Sequence, residues 1–288
     1  RGLVMNIGGV TIKVPVMNAA CSIAKTWDDV KAMCATSAGL VLIGSITTEQ
    51  RDGNKEPRWF VGDDYALNSF GMPNGGYEFY SKELPGMVDY IHTSDKVAVL
   101  SIAGFSTSEY VQLAQLADRS CVDILELNLG CPNVSIDGKQ KPIVSFDLFT
   151  MKEIVQAVQA VTKLPLAIKL SPYSNPAELK KVADLLTELE VAAVVASNTF
   201  PNGFVPNEQG EPVLANEFAG VSGKVMMPIS LGQVRQFRNI LPDSVAVIGV
   251  GGIQSKDDAY MYYNAGAAVV QVATFIIKEG HKAIDRII

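Results

Sequence analysis

Cys131 stands in the run Glu126-Leu127-Asn128-Leu129-Gly130-Cys131-Pro132-Asn133, where a short apolar stretch gives way to polar chain. A cysteine between glycine and proline is exposed by its backbone, and Asn128 and Asn133 offer amide donors and acceptors to a planar polar ligand. Two readings are open: a reactive thiol doing acid-base work, or a small loop residue, since free cysteines are more often inert than catalytic. A second set of residues lies near the C-terminus, in Val247-Ile248-Gly249-Val250-Gly251-Gly252-Ile253, then Ala265-Gly266-Ala267 and Gln271-Val272-Ala273-Thr274. Glycines let backbone N–H groups approach an anion, and the start of a following helix adds the positive end of a dipole, so these turns suit phosphate. The bland alternative is tight turn packing. Lys169, in Ala167-Ile168-Lys169-Leu170-Ser171-Pro172, is a cation inside an apolar run and costly to bury unpaired. It is either a snorkelling strand-end residue, a neutraliser of an electron-rich ring, or the Schiff-base lysine of a flavin-free aldolase or isomerase.

All of these residues need a frame that brings strand ends together. Short apolar runs recur at 14–17, 40–43, 97–102, 124–127, 166–170, 193–196, 245–250 and 269–272. Between them, segments such as Tyr110, Val111, Leu113 and Leu116, or Ile154, Val155, Val158 and Val161, carry the three- and four-residue spacing of amphipathic helices. Buried strands alternating with helices mean parallel pairing and right-handed crossovers, and eight such units close most economically into a (β/α)8 TIM barrel. An open doubly wound sheet is the competing topology. Residues 47–80 and 201–223, rich in Gly, Asn and Pro, break the rhythm and read as long active-site loops at the C-terminal face of the barrel.

The chain has 288 residues, 48% hydrophobic and 19% charged, enough for one barrel domain spanning 1–288. A formal charge of -6 with no Lys/Arg run excludes a dedicated nucleic-acid surface. No uncharged apolar stretch of about 18 residues appears and residues 1–14 lack the apolar core of a signal peptide, so a soluble, cytoplasmic protein is expected. The absent initiator Met and the abrupt end at Ile288 read as a piece of a longer chain. Cys21, Cys34, Cys121 and Cys131 are irregularly spaced, which argues against a zinc site or a disulfide framework, and no metal is expected.

Asn128-Leu129-Gly130-Cys131-Pro132-Asn133 resembles the catalytic-loop motif of class 1 dihydroorotate dehydrogenases, and the resemblance runs in order along nearly the whole chain. Val16-Met17-Asn18-Ala19-Ala20 resembles the first flavin-binding turn, Arg51-Asp52-Gly53-Asn54 with Pro57-Arg58 the loop after strand two, and Leu67-Asn68-Ser69-Phe70-Gly71-Met72-Pro73-Asn74 the substrate loop. Ser197-Asn198-Thr199 and Gly220-Val221-Ser222-Gly223 are similar to a substrate pair and a flavin-phosphate turn, and Lys141-Pro142 with Ser145-Phe146-Asp147 leans toward the fumarate-using soluble homodimers. The resemblance implies FMN as cofactor and oxidation of dihydroorotate to orotate in pyrimidine biosynthesis. It implies Cys131 as base and Asn68, Met72, Asn128, Asn133, Asn198 and Thr199 as substrate ligands. For the cofactor it implies Ala19, Ala20, Ser45, Asn128, Lys169, Gly223, Gly251, Gly252, Ala273 and Thr274.

Two positions depart from the family. The lysine of its second strand falls on Gly44, and Cys21 stands where glycine is usual. Lys25, in the loop after strand one, is the compensating lysine expected here, by analogy with class 2 relatives that draw theirs from that loop. The alternatives are a related flavin oxidoreductase for another pyrimidine-like ring, or a flavin-binding barrel with weakened catalysis. His92 and His281 lack metal-site patterning, Cys34 and Cys121 read as packing residues, Asp28-Asp29 as the first turn of a helix, and Trp27 and Trp59 have no assigned role.

Overall fold

The computed structural model describes residues 5–132, 135–136 and 139–288. Eight parallel strands, numbered here within the barrel, close on themselves: β1 Val16–Asn18, β2 Leu40–Ile46, β3 Val97–Ile102, β4 Ile124–Asn128, β5 Leu166–Leu170, β6 Ala193–Ala196, β7 Ala246–Val250 and β8 Val269–Val272. Each pairs with its successor, and Val272 of β8 pairs with Asn18 of β1 to complete the ring. One helix follows each strand: α1 Trp27–Cys34, α2 Gly76–Thr93, α3 Thr107–Arg119, α4 Leu148–Gln159, α5 Pro176–Glu188, α6 Met227–Ile240, α7 Lys256–Ala265 and α8 Thr274–Glu279. The open doubly wound sheet is thereby excluded. Val14 and Pro15 precede the first strand, which is displaced toward Asn18 relative to the expected 14–17.

Strand residues of one parity fill the barrel, where Met17, Leu42, Val99, Ala167, Val195 and Ile248 form an inner apolar layer. The other parity packs outward against helices, as Val41, Leu100, Leu127, Ile168 and Val194 do. A hairpin of Met5–Ile7 and Val10–Ile12 sends Ile7 and Ile12 into the inner layer, and Gly8 lies against Pro165 and Ala192 at the strand N-termini. That end is therefore stoppered, which leaves the C-terminal face for a site. Helix starts follow local chemistry. Thr26 and Asp29 form a capping box at α1, so the Asp28-Asp29 pair does belong to a first helical turn.

The segments read as long loops are more ordered than their composition suggests. Trp59–Val61, Ala66–Asn68, Ala219–Ser222 and Phe200–Gly203 pair into a four-stranded antiparallel sheet, with Ala66–Asn68 bonded to Ala219–Ser222. Three- and four-residue strands paired to partners far away in sequence leave little local alternation to read, and Gly and Pro obscure what there is. After the cysteine loop, Ser135–Ile136 and Lys139–Gln140 pair antiparallel. No helix among the described residues is long and apolar enough to cross a membrane.

Candidate active site

At the C-terminal face lies a cleft enclosing about 1100 Å³ of space, part of it open to solvent, roofed by residues of the four-stranded sheet. It collects the expected residues. From the β4 end come Asn128 and Cys131, and from the β6 end Asn198 and Thr199. The roof contributes Asn68, at the end of a sheet strand, and Met72 just beyond it. Asn133 lies outside the described residues. The Asn128 carboxamide is fixed on both sides: its Nδ2 donates to Ser45 Oγ at 2.9 Å, and its Oδ1 accepts from Asn198 Nδ2 at 3.2 Å. Ser45 Oγ in turn shares a 2.8 Å hydrogen bond with Ser101 Oγ. Asn198 Oδ1 accepts from the Thr199 backbone N at 2.8 Å, and the buried Thr199 Oγ1 has no hydrogen-bond partner among the described residues. A buried hydroxyl in that state is costly unless a ligand meets it, and Thr199 lines the cleft.

The opposite lining suits a planar ring ending in one phosphate. Ala19 and Ala20 after β1, Ser45 of β2 and Lys169 of β5 line the cleft with Ala273 and Thr274 after β8. Gly223 and Gly252 have φ of 89° and 70°. A Cβ on Gly252 would lie 2.9 Å from the Gly223 carbonyl oxygen, so the two glycine turns stack with no room for side chains. Beside them Thr274 Oγ1 donates to Ser222 Oγ at 2.9 Å. The N-terminus of α7 is capped by its own Ser255, whose Oγ accepts from Asp258 N, whereas α8 begins at Thr274 in the cleft lining with no side-chain cap.

Gly44 explains its own identity. Its φ is 122°, and a Cβ there would come 2.3 Å from the Ser101 carbonyl oxygen, so no lysine fits at this position as the strand runs. Gly44 N donates to Ala24 O at 2.9 Å, which fastens the loop after β1 onto the place where the family's lysine would emerge. The next residue is Lys25. Its backbone is held by Asp29 and Tyr80, it is only 7% exposed, and it lines the cleft. Burial holds its ammonium down at about 8, with Arg58 adding to the depression and Asp29 partly offsetting it. Cys21, in the same lining, has its thiol pushed up to about 11 by burial and acts as a neutral, small apolar neighbour. On the other side of Cys131, Lys141 Nζ donates to Gly104 O at 2.7 Å and stands 5.3 Å from the Phe105 ring centroid, its pKa lowered by burial.

Three contributors escaped the sequence reading. Trp59 lines the mouth, stacked on Phe70 at 5.6 Å between centroids. Gln271 lines the floor, and the fully buried Glu126 lies beneath it. Glu126 had a legible signal: it is the lone carboxylate in Ile124-Leu125-Glu126-Leu127, with the same parity as Asn128. The remaining candidates are structural. His92 pairs with Asp123 at 2.8 Å, His281 contacts the Ile23 carbonyl, and no metal-binding cluster occurs among the described residues. Cys34 packs against the core as expected, whereas Cys121 is exposed at a left-handed turn with φ of 58°, a tight corner before β4 that turns it outward.

A family model described as dihydroorotate dehydrogenase matches residues 2–288. Among curated relatives, dihydroorotate dehydrogenase (fumarate) of Trypanosoma cruzi is 37% identical over 281 residues, covering 95% of this chain and 87% of the relative. That of Saccharomyces cerevisiae is 35% identical over 283 residues, covering 96% and 88%. Dihydroorotate dehydrogenase A (fumarate) of Lactococcus lactis is 31% identical over 284 residues, covering 95% and 88%. The crystal structure of DHODH in complex with ferulenol from Eimeria tenella superposes with a TM-score of 0.83 at 24% identity, covering 99% of this chain and 82% of that one.

Proposed function

The chain belongs to the dihydroorotate dehydrogenase family, and from that premise we propose that it oxidises (S)-dihydroorotate to orotate in pyrimidine biosynthesis, with FMN as cofactor and fumarate as electron acceptor. One observation carries this reading: Cys131, the amide set of Asn68, Asn128 and Asn198, and the unpartnered Thr199 hydroxyl share one cleft with Lys169 and the stacked glycine turns.

The reaction removes a proton from one ring carbon of the substrate and a hydride from its neighbour, so a base must face one side of a ring held flat. Cys131 Sγ takes the proton. Asn128, locked by Ser45 and Asn198, presents fixed polarity to the pyrimidine edge, and Thr199 Oγ1 completes it. Asn68 and Met72 close over it from the roof, and Asn133 is the remaining family ligand proposed. Lys25 supplies the cation for the substrate carboxylate and the ring edge in place of the lysine missing at Gly44. Ala19, Ala20, Ser45 and Lys169 would flank the FMN ring, and Gly223, Gly251, Gly252, Ala273 and Thr274 its phosphate. FMN held by these residues would supply the hydride acceptor and the two-electron link to fumarate. Lys25, next after the residue that Gly44 bonds and lining the cleft, supports an active enzyme over a catalytically weakened flavin-binding barrel. We also propose a cytoplasmic homodimer. Phe146 and Phe218, both exposed, line one surface depression that a second copy would cover.

The test is anaerobic mixing of the purified protein with dihydroorotate while flavin absorbance is followed, and mass determination of the released cofactor. Bleaching and a mass equal to FMN are expected. Recovery of FAD, or a flavin that dihydroorotate leaves oxidised, overturns the reading. Light scattering decides the dimer.

A further inference from the structure

Below the cleft the barrel is filled by hydrocarbon, and a carboxylate lies within it. Glu126 of β4 is fully buried, in register with Ser101 on β3 and Ala167 on β5, amid Met17, Val99 and Val195. Its Oε2 accepts from Gln271 Nε2 at 2.7 Å, while Oε1 has no hydrogen-bond partner among the described residues. Gln271 Oε1 then accepts from Lys169 Nζ at 3.5 Å, the one hydrogen bond given to that ammonium among the described residues. Lys169 is itself only 4% exposed and lines the cleft.

These three side chains constrain one another. A carboxamide has one accepting and one donating end, and an ionised carboxylate only accepts. Glu126 therefore draws the Gln271 amino group downward, which turns Oε1 up toward Lys169. An ammonium removed from water needs an acceptor and an opposite charge nearby, and Gln271 supplies only the first. We propose that Glu126, acting through Gln271, is a positioning residue that holds the Lys169 ammonium in place and aimed into the cleft. The inference rests on the flavin reading above for what Lys169 faces.

Glu126→Gln preserves shape but removes the charge and the one-way hydrogen-bond polarity. It should act like a partial loss of Lys169: flavin affinity about tenfold weaker, and the reduction equilibrium moved about tenfold toward the oxidised form, which is about 30 mV for a two-electron couple. Lys169→Met should move both in the same direction, and the double variant should go no further than Lys169→Met alone. A packing role leaves the potential unmoved, and a direct charge effect of Glu126 on the ring moves it the other way; either result overturns the proposal. The full chain freed of flavin gives an independent readout. There the unfolding equilibria of the two single variants and the double variant should depart from additivity by about tenfold, and additivity would refute the coupling. A wild-type protein that binds no flavin while showing this coupling would sink the flavin reading and spare the relay. Should Glu126→Gln not fold, Gln271→Met breaks the relay with both charges in place and carries the same expectation.

Discussion

Replacing Lys25 by Met should make the protein more stable and its substrate site worse. Lys25 is nearly removed from solvent, and burial lowers its pKa from 10.5 to about 8. At about 1.4 kcal/mol per pH unit, keeping the ammonium charged in the folded protein at neutral pH costs about 3 kcal/mol, an upper figure. The folded pKa lies below the unfolded one, so the unfolded chain binds the proton more tightly. The cost is then fully present below about 8, declines as pH rises, and is gone by 10.5. Wild-type stability should therefore climb through that window. Lys25→Met fills the same space without charge and should gain up to about 3 kcal/mol near neutrality, the gain shrinking toward zero at alkaline pH. The same variant should bind orotate about tenfold more weakly, because a charge-assisted hydrogen bond to an anion is worth about 1.5–3 kcal/mol. In the wild type, orotate binding should weaken once pH passes about 8, and in the variant that inflection should vanish. Urea unfolding at several pH values and orotate titration monitored through flavin absorbance measure both. A variant that is less stable at neutral pH and binds orotate as the wild type does would refute the reasoning and make Lys25 a packing residue.

Cys131→Ala should retain flavin and orotate binding yet slow flavin reduction by dihydroorotate by about 10²-fold or more in stopped-flow traces, with Cys131→Ser slightly faster than Ala. Thr199→Val removes a buried hydroxyl that has no partner among the described residues, so the ligand-free protein should be unchanged or up to about 1 kcal/mol more stable by urea unfolding, while orotate affinity falls several-fold. Gly44→Lys, which would restore the family's residue, should lower the unfolding free energy by at least about 2 kcal/mol, because its Cβ meets the Ser101 carbonyl oxygen and the backbone is left-handed there.

Much of the frame is legible in the chain itself. Val97–Ile102, Leu166–Leu170, Ala193–Ala196 and Val269–Val272 coincide with apolar runs that can be read directly, because a strand buried on both faces has no polar positions to blur its limits. Strand ends are where residues such as Asn128, Lys169 and Asn198 must stand, so the cleft's composition follows once the strands are counted. What the tertiary structure alone decided depends on contacts between distant residues. The roof sheet joins Ala66–Asn68 to Ala219–Ser222, and no local pattern announces such a pairing. Gly44 is a missing charge in the sequence; it takes the hydrogen bond from its N–H to Ala24, with Asp29 and Tyr80 holding the Lys25 backbone, to set Lys25 in the neighbouring lining. Glu126, Lys169 and Gln271 lie on strands β4, β5 and β8, and it took closure of the barrel to bring carboxylate, amide and ammonium within reach of one another. Periodicity encodes which face of an element is buried, but which charged groups share that interior is set by long-range closure, which a linear pattern does not contain.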